Sequence, residues 1–468
     1  MKFNKIREHI FSVFNTFVFI NLDEIAFEKK EFSAQERLIK KLNMEPIKIN
    51  NDLKIKWKTE SAENLKISKG VYTPVSKEDS FLMGIVVKDS NEKTPNVEES
   101  SDTRIIIKES VHENFPVNSL SFGNIEFYIH TSGVGTCRTD INIEKTQEMD
   151  GITILQLEQI SEKLNELFRK YFAEVCYNIT KNYIFAVREI GIPHYQFEFI
   201  PDVLNFSENE KMEHILPWTH RLYEIRDDRL LEMESPGEQF KTLLTPSKKM
   251  DITDFSIYDN RYIYFGWGHS ILFTSSDLKG SDFSQTNKTP KEYVRLIEIA
   301  QNNWRAIEMM DNLMNYSITY YNLKFKGMRL KQIKQKIYDI RDFNKAVDRV
   351  MDNFRGVKIS FDTETRLLLQ ELNDRWLTDD MLEKLQERQD VLEDLLDDLF
   401  QRQQEKKDDS LNSIVMLFTI ISLFDVFSVF FDIFPYFLDL HFPLFLLFLC
   451  VWGFCNGGSS VWEMPNLT

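Results

Sequence analysis

Residues 411–431, LNSIVMLFTIISLFDVFSVFF, run without a single Lys, Arg, Pro or Gly, and at ~1.5 Å of rise per residue they match a hydrocarbon core of ~30 Å. This stretch predicts a transmembrane helix. A second apolar run, residues 442–455 (FPLFLLFLCVWGFC), follows a short loop and reaches spanning length when extended to Trp462. Arg402, Lys406 and Lys407 stand just before the first run, whereas residues 434–441 and 456–468 contain no Lys or Arg. The positive-inside rule then keeps the N-terminal mass in the cytoplasm, and two spans return the C-terminus to the same side. The expectation is a multi-pass protein of the inner (cytoplasmic) membrane.

Polar residues inside the first run are not scattered. At ~100° per residue, Ser422, Asp425, Ser428 and Asp432 fall within about a 120° arc, while Phe424, Phe427, Phe431 and Phe434 cluster on another face. A carboxylate in hydrocarbon is costly, so Asp425 is expected to face a bundle interior or an aqueous path. These four polar residues are the candidate pore lining. Two spans per chain cannot enclose a channel, so this reading requires a homo-oligomer around the stripe.

Upstream, no Pro or Gly interrupts the chain between Thr378 and Pro435. Thr378 is a candidate N-cap, with Asp379 and Asp380 at the positive end of the helix dipole. Leu382, Leu385, Gln389, Leu392, Leu396, Leu399 and Gln403 alternate three and four apart, a heptad seam able to supply a coiled-coil oligomer. Around it lie Glu383, Glu387, Asp390, Glu393, Asp394, Asp397 and Asp398. They read as a solvated acidic face or as rings that draw cations towards a pore.

This order of elements, over roughly residues 291–468, resembles the CorA-like two-transmembrane metal-ion transporters. That family commonly carries a Gly-Met-Asn signature after the first span. Here the corresponding stretch is Phe434-Pro435-Tyr436-Phe437-Leu438-Asp439-Leu440-His441, with neither Gly nor Asn. Divergent members without the signature resemble the CorA-type membrane effectors associated with type III CRISPR systems. What that resemblance implies is an antiviral defence channel, homopentameric, opened by a small nucleotide second messenger such as a cyclic oligoadenylate or a conjugate of S-adenosylmethionine with a nucleotide. A constitutive divalent-cation transporter of the magnesium type and a membrane-anchored interaction protein without conductance are the alternatives.

A formal net charge of −16 argues against general DNA or RNA affinity, so a nucleotide partner would be small and held in a local pocket. Cys137, Cys176, Cys450 and Cys455 are spaced for neither a zinc site nor a disulfide framework. The apolar stretch 10–20 follows Lys2, Lys5 and Arg7, but Asn15 interrupts it and no small-residue cleavage site follows, so it reads as a helix or strand of the folded domain. Strand-like runs appear at 82–87, 104–107, 125–131, 139–143, 195–200 and 221–225, and helical spacing appears at 152–184. Residues 1–285 are therefore expected to form an α+β or α/β ligand-sensing domain, followed by an all-α stalk at 290–410, the two-span segment at 411–462 and a short tail at 463–468. Within the stalk, helices are expected at 291–323, 330–354 and 361–376, with Gly327 and Gly356 as breaks.

Two glycine sites are candidate ligand contacts. Gly133-Val134-Gly135-Thr136-Cys137-Arg138 lies between strand-like runs, with Arg138 as a counter-charge for an anion; a hairpin turn accounts for it equally well. Residues 262–273 read as a hairpin around Gly266-Trp267-Gly268, where Trp267 and His269 are placed to stack on a base or bond a phosphate, or to pack at a domain boundary. The sequence contains no P-loop, no H-E-x-x-H and no G-x-S-x-G, and no enzyme activity is expected.

Overall fold

The computed structural model describes residues 2–20, 31–49, 53–58, 82–88, 119–123, 125–145, 150–195, 216, 218–244, 252–256, 261–274, 290–323, 329–360 and 363–437. The second apolar run, the predicted strand at 104–107, Gly327 and the end of the strand expected at 195–200 lie outside the described residues. The strands are β1 (Lys2–Phe3), β2 (Lys5–Ile20), β3 (Leu53–Lys58), β4 (Leu82–Lys88), β5 (Ser119–Phe122), β6 (Glu126–Ile129), β7 (Ser132–Glu144), β8 (Ile152–Thr153), β9 (His194–Tyr195), β10 (Thr219–Arg226), β11 (Arg261–Phe265) and β12 (His269–Thr274). The longer helices are α1 (Glu31–Met44), α2 (Ile154–Ile190), α3 (Pro290–Leu323), α4 (Leu330–Ser360), α5 (Thr363–Arg375) and α6 (Thr378–Phe437).

The main sheet runs β11-β12-β10-β2-β7-β6-β4-β3, with β5 on β7 and β9 on β2. Its pairings are antiparallel except for β10 and β12, which run parallel. The architecture is thus an N-terminal mixed sheet domain followed by helices. Strand β2 is the axis. It is rich in β-branched and aromatic residues, which suits a strand covered on both faces. Ile6, Ile10 and Phe14 join one core with Leu157, Ile160 and Leu164 of α2. Phe11 joins a separate core with Tyr293, Ile297 and Ala300 of α3 and with Trp376. The apolar stretch 10–20 is therefore the middle of the sheet.

Helix α2 starts on a capping box: the Gln156 backbone N–H donates to Thr153 Oγ1, and the Thr153 N–H donates to Gln156 Oε1. It ends at Gly191, whose φ of 65° suits a residue without Cβ.

The chain divides into two compact units, one of residues 1–328 and 335–396, the other of 329–334 and 397–468. The sheet and much of the helical segment expected as a separate stalk share the first unit, because α3 lies against β2 and β7. Helix α4 runs through Gly356 to Ser360 where a break was expected, and α6 continues past Pro435 to Phe437. The seam of α6 also differs from the expected one. Leu382, Leu385 and Leu392 are buried within a single chain, and Leu395 is buried in place of Leu396. Leu399, the next expected seam position, is buried. Gln389 donates to Asp348 of α4 at 2.8 Å, and Arg388 pairs with Asp311 of α3 at 2.6 Å. This part of the seam is filled by the chain's own helices.

The root of α6 is held by tryptophans. Trp376 is fully buried, and its indole N–H donates to the Gly266 carbonyl at 3.0 Å. The Trp304 indole N–H donates in turn to the Trp376 carbonyl at 3.0 Å, and Trp218 packs edge-on against both rings. Leu377, between α5 and α6, takes a left-handed φ of 51°, a conformation that costs a non-glycine residue of order 1 kcal/mol or more and persists where the surroundings hold it.

A Cβ built on Gly135 would lie 2.4 Å from the Phe14 ring, which is itself fully buried. Gly135→Ala is expected to lower stability by ~1–3 kcal/mol, read as a shift of the urea midpoint for the sheet domain's far-ultraviolet signal. An unchanged midpoint would show that the β2–β7 approach is loose.

Candidate functional site

The β2–β10–β12 part of the sheet brings polar side chains together under α2. The parallel β10–β12 pair sets Arg221 opposite His269, and the antiparallel β2–β10 pair sets Glu8 opposite Tyr223. Helix α2 adds Ser161 and Glu162. The Arg221 guanidinium donates to Ser161 Oγ at 3.2 Å, to Glu162 Oε1 at 2.8 Å and to His269 Nε2 at 2.7 Å. A guanidinium has no acceptor, so Nε2 of His269 must accept, and the ring proton sits on Nδ1, 3.0 Å from the Tyr223 hydroxyl. Tyr223 then donates to Ser161 Oγ at 2.6 Å, and Ser161 donates to Glu8 Oε1 at 2.5 Å. The chain of donors has one direction, from Arg221 through His269, Tyr223 and Ser161 to Glu8.

Glu8 and Ser161 have no exposed surface and Arg221 is 5% exposed. Glu162, whose side chain is 59% exposed, forms the open rim. Burial pushes the Glu8 carboxyl up to about 7, against the opposing pull of the Ser161 hydrogen bond and Arg221. Burial pushes the His269 imidazole down to about 2, helped by the Arg221 charge, so the ring is neutral. Burial also raises the Tyr223 phenol well above its ordinary value. Ser161 Oγ donates once and accepts twice, which uses its hydrogen-bonding capacity and suits a clamp rather than an attacking nucleophile.

Of the three sequence-derived ligand candidates, Trp267 and His269 meet at the β11–β12 turn, and Arg138 does not join them. Trp267 is 39% exposed on that turn. Arg138 donates to Glu126 at 2.8 Å and to Glu298 of α3 at 2.9 Å, and its guanidinium stacks 4.5 Å from the Tyr128 ring. Burial alone would raise the Glu298 carboxyl, but Arg295 and Arg138 outweigh it and hold Glu298 below the usual carboxylate range. The charge of Arg138, expected to meet an anionic ligand, is therefore taken up by two carboxylates of the chain itself. The nearby glycines accommodate rings: Gly133 faces Phe19 and Gly135 faces Phe14. The β6–β7 hairpin closes where the His130 N–H donates to the Val134 carbonyl, so Gly133 and Val134 belong to the connection, while Gly135–Arg138 are strand residues of β7 paired with β6.

Sequence reasoning missed Glu8, Ser161, Glu162, Arg221 and Tyr223. The signal available for it was Glu8, a charged residue two positions from Ile6 and Ile10 on the covered face of an apolar strand.

In the second unit, the apolar stretch of α6 carries Ser422, Asp425 and Ser428 in exposed positions. Asp432 lies on the same helix, and its side chain is outside the described ones. The 18-residue window that qualifies α6 as long and apolar enough to cross a membrane has none of its residues buried. The hydroxyls of Ser413 and Thr419 each donate to the carbonyl four residues earlier at 2.8 Å, so neither is left unpaired on an apolar helix. Among the described residues no group of three or more His, Cys, Asp or Glu side chains is arranged to hold a metal ion.

No family model, curated protein or solved structure matches this chain.

Because folded Glu8 holds its proton to about pH 7 while an unfolded glutamate releases it near 4.5, the folded state binds more protons between these values, and stability falls as pH rises across that window. The loss is on the order of 3 kcal/mol and levels off above pH 7. Glu8→Gln should remove this component, so that the wild-type-minus-variant difference in unfolding free energy declines from pH 5 to pH 8. A difference that is flat with pH would sink the assignment.

Proposed function

We propose that the chain is a subunit of a homo-oligomeric, ligand-gated membrane channel of CorA-like build. The sheet domain is the cytoplasmic sensor, α6 continues into the first span, and residues 442–455 supply the second, which returns the C-terminus to the cytoplasm. The carrying observation is the continuity of α6. One helix begins at a root fixed by Trp376 and ends in an apolar stretch whose 18-residue window has no buried residue and bears the Ser422–Asp425–Ser428 stripe. In this reading a rotation or tilt at the root passes along α6 to its membrane end. The ligand must bind open and closed states with different affinity in order to shift them. A small nucleotide second messenger is the proposed ligand, and an antiviral effector role follows from the CorA-type resemblance; a divalent cation is the alternative cargo.

A second reading, a membrane tether without conductance, draws on the leucine seam. Leu382, Leu385 and Leu392 are covered within one chain and leave that stretch no free face for a coiled coil. Flux through the purified protein in liposomes separates the two. The channel reading expects ion flux on addition of a cyclic oligoadenylate or of a conjugate of S-adenosylmethionine with a nucleotide. Magnesium flux without a messenger would indicate a transporter, and no flux under any condition would leave the tether. Asp425→Asn and Asp432→Asn are each expected to lower cation-over-anion permeability several-fold, read from reversal potentials. Unchanged selectivity in both would remove these residues from the pore.

A further inference from the structure

The sensor reading leaves open where a ligand docks and how its arrival reaches α6. We infer that Arg221 is an exchangeable site for a phosphate group of a small ligand, that the Glu162 carboxylate occupies this site in the unliganded chain, and that exchange is relayed to Trp376 at the root of α6.

The partners of Arg221 are unequal. Ser161 and His269 are held by the sheet and by the donor chain that ends on Glu8. Glu162 projects from α2 with a side chain 59% exposed, against 6% for that of Arg221. Of these partners only the Glu162 carboxylate can return to water when it lets go, so it is the one that a competing anion replaces. A phosphate group brings up to two negative charges and three acceptor oxygens, and a guanidinium offers a planar fork of donors that matches it. Nε of Arg221 and Oε2 of Glu8 are both buried and without a hydrogen-bond partner. The guanidinium therefore has donor capacity beyond what the chain uses, which a second phosphate oxygen would take.

The same strand segment touches the root of α6. The backbone N–H of Arg221 donates to the Gly268 carbonyl at 3.0 Å. Two residues earlier in that turn, the Gly266 carbonyl accepts from the Trp376 indole at 3.0 Å. His220, beside Arg221 in β10, places its ring 5.2 Å from that of Trp376 and bonds Ser270 at 2.9 Å. A Cβ on Gly266 would lie 2.2 Å from the Leu244 carbonyl oxygen, so the turn has no slack on that side. Movement of the Arg221–His269 pair is then felt at Trp376, and Leu377 and α6 follow directly in the chain.

This inference rests on the sensor reading, and its test separates the two. Inorganic pyrophosphate is the probe and acetate the carboxylate control, titrated calorimetrically into the detergent-solubilised full chain. Glu162→Gln removes the competing charge at an exposed position and is expected to bind pyrophosphate at least tenfold more tightly than the wild type, with a shift in tryptophan emission, while acetate gives neither. Arg221→Lys keeps the charge, loses the fork, and is expected to weaken binding at least tenfold. Equal pyrophosphate affinity in wild type and Glu162→Gln, or binding by neither, overturns the site. Tighter binding by Glu162→Gln without flux under any condition upholds the site and removes the channel reading. Messenger-gated flux with the same dose response in Glu162→Gln overturns the site and leaves the channel reading in place.

Discussion

Burial of β2 on both faces is the constraint from which the rest of the structure follows. A strand paired on both edges by β7 and β10, and covered on its two faces by the cores of α2 and α3, holds its central side chains away from water, so its buried polar groups need partners within the protein. On one face that requirement is met by α2, which brings Ser161 to Glu8. On the other it is met by α3: Arg305 donates to Asn15 of β2 at 3.0 Å, and Asn302 bonds Thr136 of β7 at 2.7 Å. The two helices are thus positioned by polar bonds within apolar cores. Hydrophobic burial alone tolerates sliding by a turn, while a buried polar pair has one satisfied register and a cost of ~1–3 kcal/mol for leaving it. The α3 interface is specified most tightly of all, since Glu298, Gln301, Asn302 and Arg305 are all buried on it.

The joint to α6 uses the same logic at smaller scale. Trp376 and Trp304 each spend their single indole donor on a backbone carbonyl, one in the β11–β12 turn and one at the helix junction. Backbone carbonyls move with their strand or turn, so these bonds tie the root of a sixty-residue helix to main chain rather than to flexible side chains. The left-handed Leu377 sits next to this clamp, where a local change in backbone angles alters the direction of everything after it.

The legible parts of the sequence were those governed by periodicity. Helices α2 and α3 and the β11–β12 hairpin stand close to their expected bounds, because their apolar spacing or their glycine punctuation is local information. Gly356 did not end α4, since packing along a long helix outweighs the ~1 kcal/mol penalty of one glycine. The α6 seam was legible as a leucine pattern but not in its partner: nothing in the spacing of Leu382, Leu385 and Leu392 states whether the facing helix belongs to the same chain. The polar cluster was the least legible part. Its members come from residues 8, 161, 162, 221, 223 and 269, and only the strand order brings them together. His269 was found through its glycine neighbours, and Arg138, chosen on the same kind of reasoning, turned out to be committed to Glu126 and Glu298.

These two arginines show what distinguishes a structural cation from an exchangeable one. Arg138 and Arg221 both lie on strands near the sheet's centre, and both hold carboxylates at 2.8–2.9 Å. The partners of Arg138 are themselves enclosed: Glu298 has no exposed side-chain surface and Glu126 has 19%. Removing either would strand a charge away from water, a loss of several kcal/mol. The rim partner of Arg221 stands mostly in water, so an incoming anion can take its place on the guanidinium while the carboxylate returns to solvent. A buried guanidinium that faces one tight and one loose set of partners favours whatever anion best fills the loose side, and the backbone bonds of β10 and the β11–β12 turn give that choice a route to the helix that enters the apolar stretch.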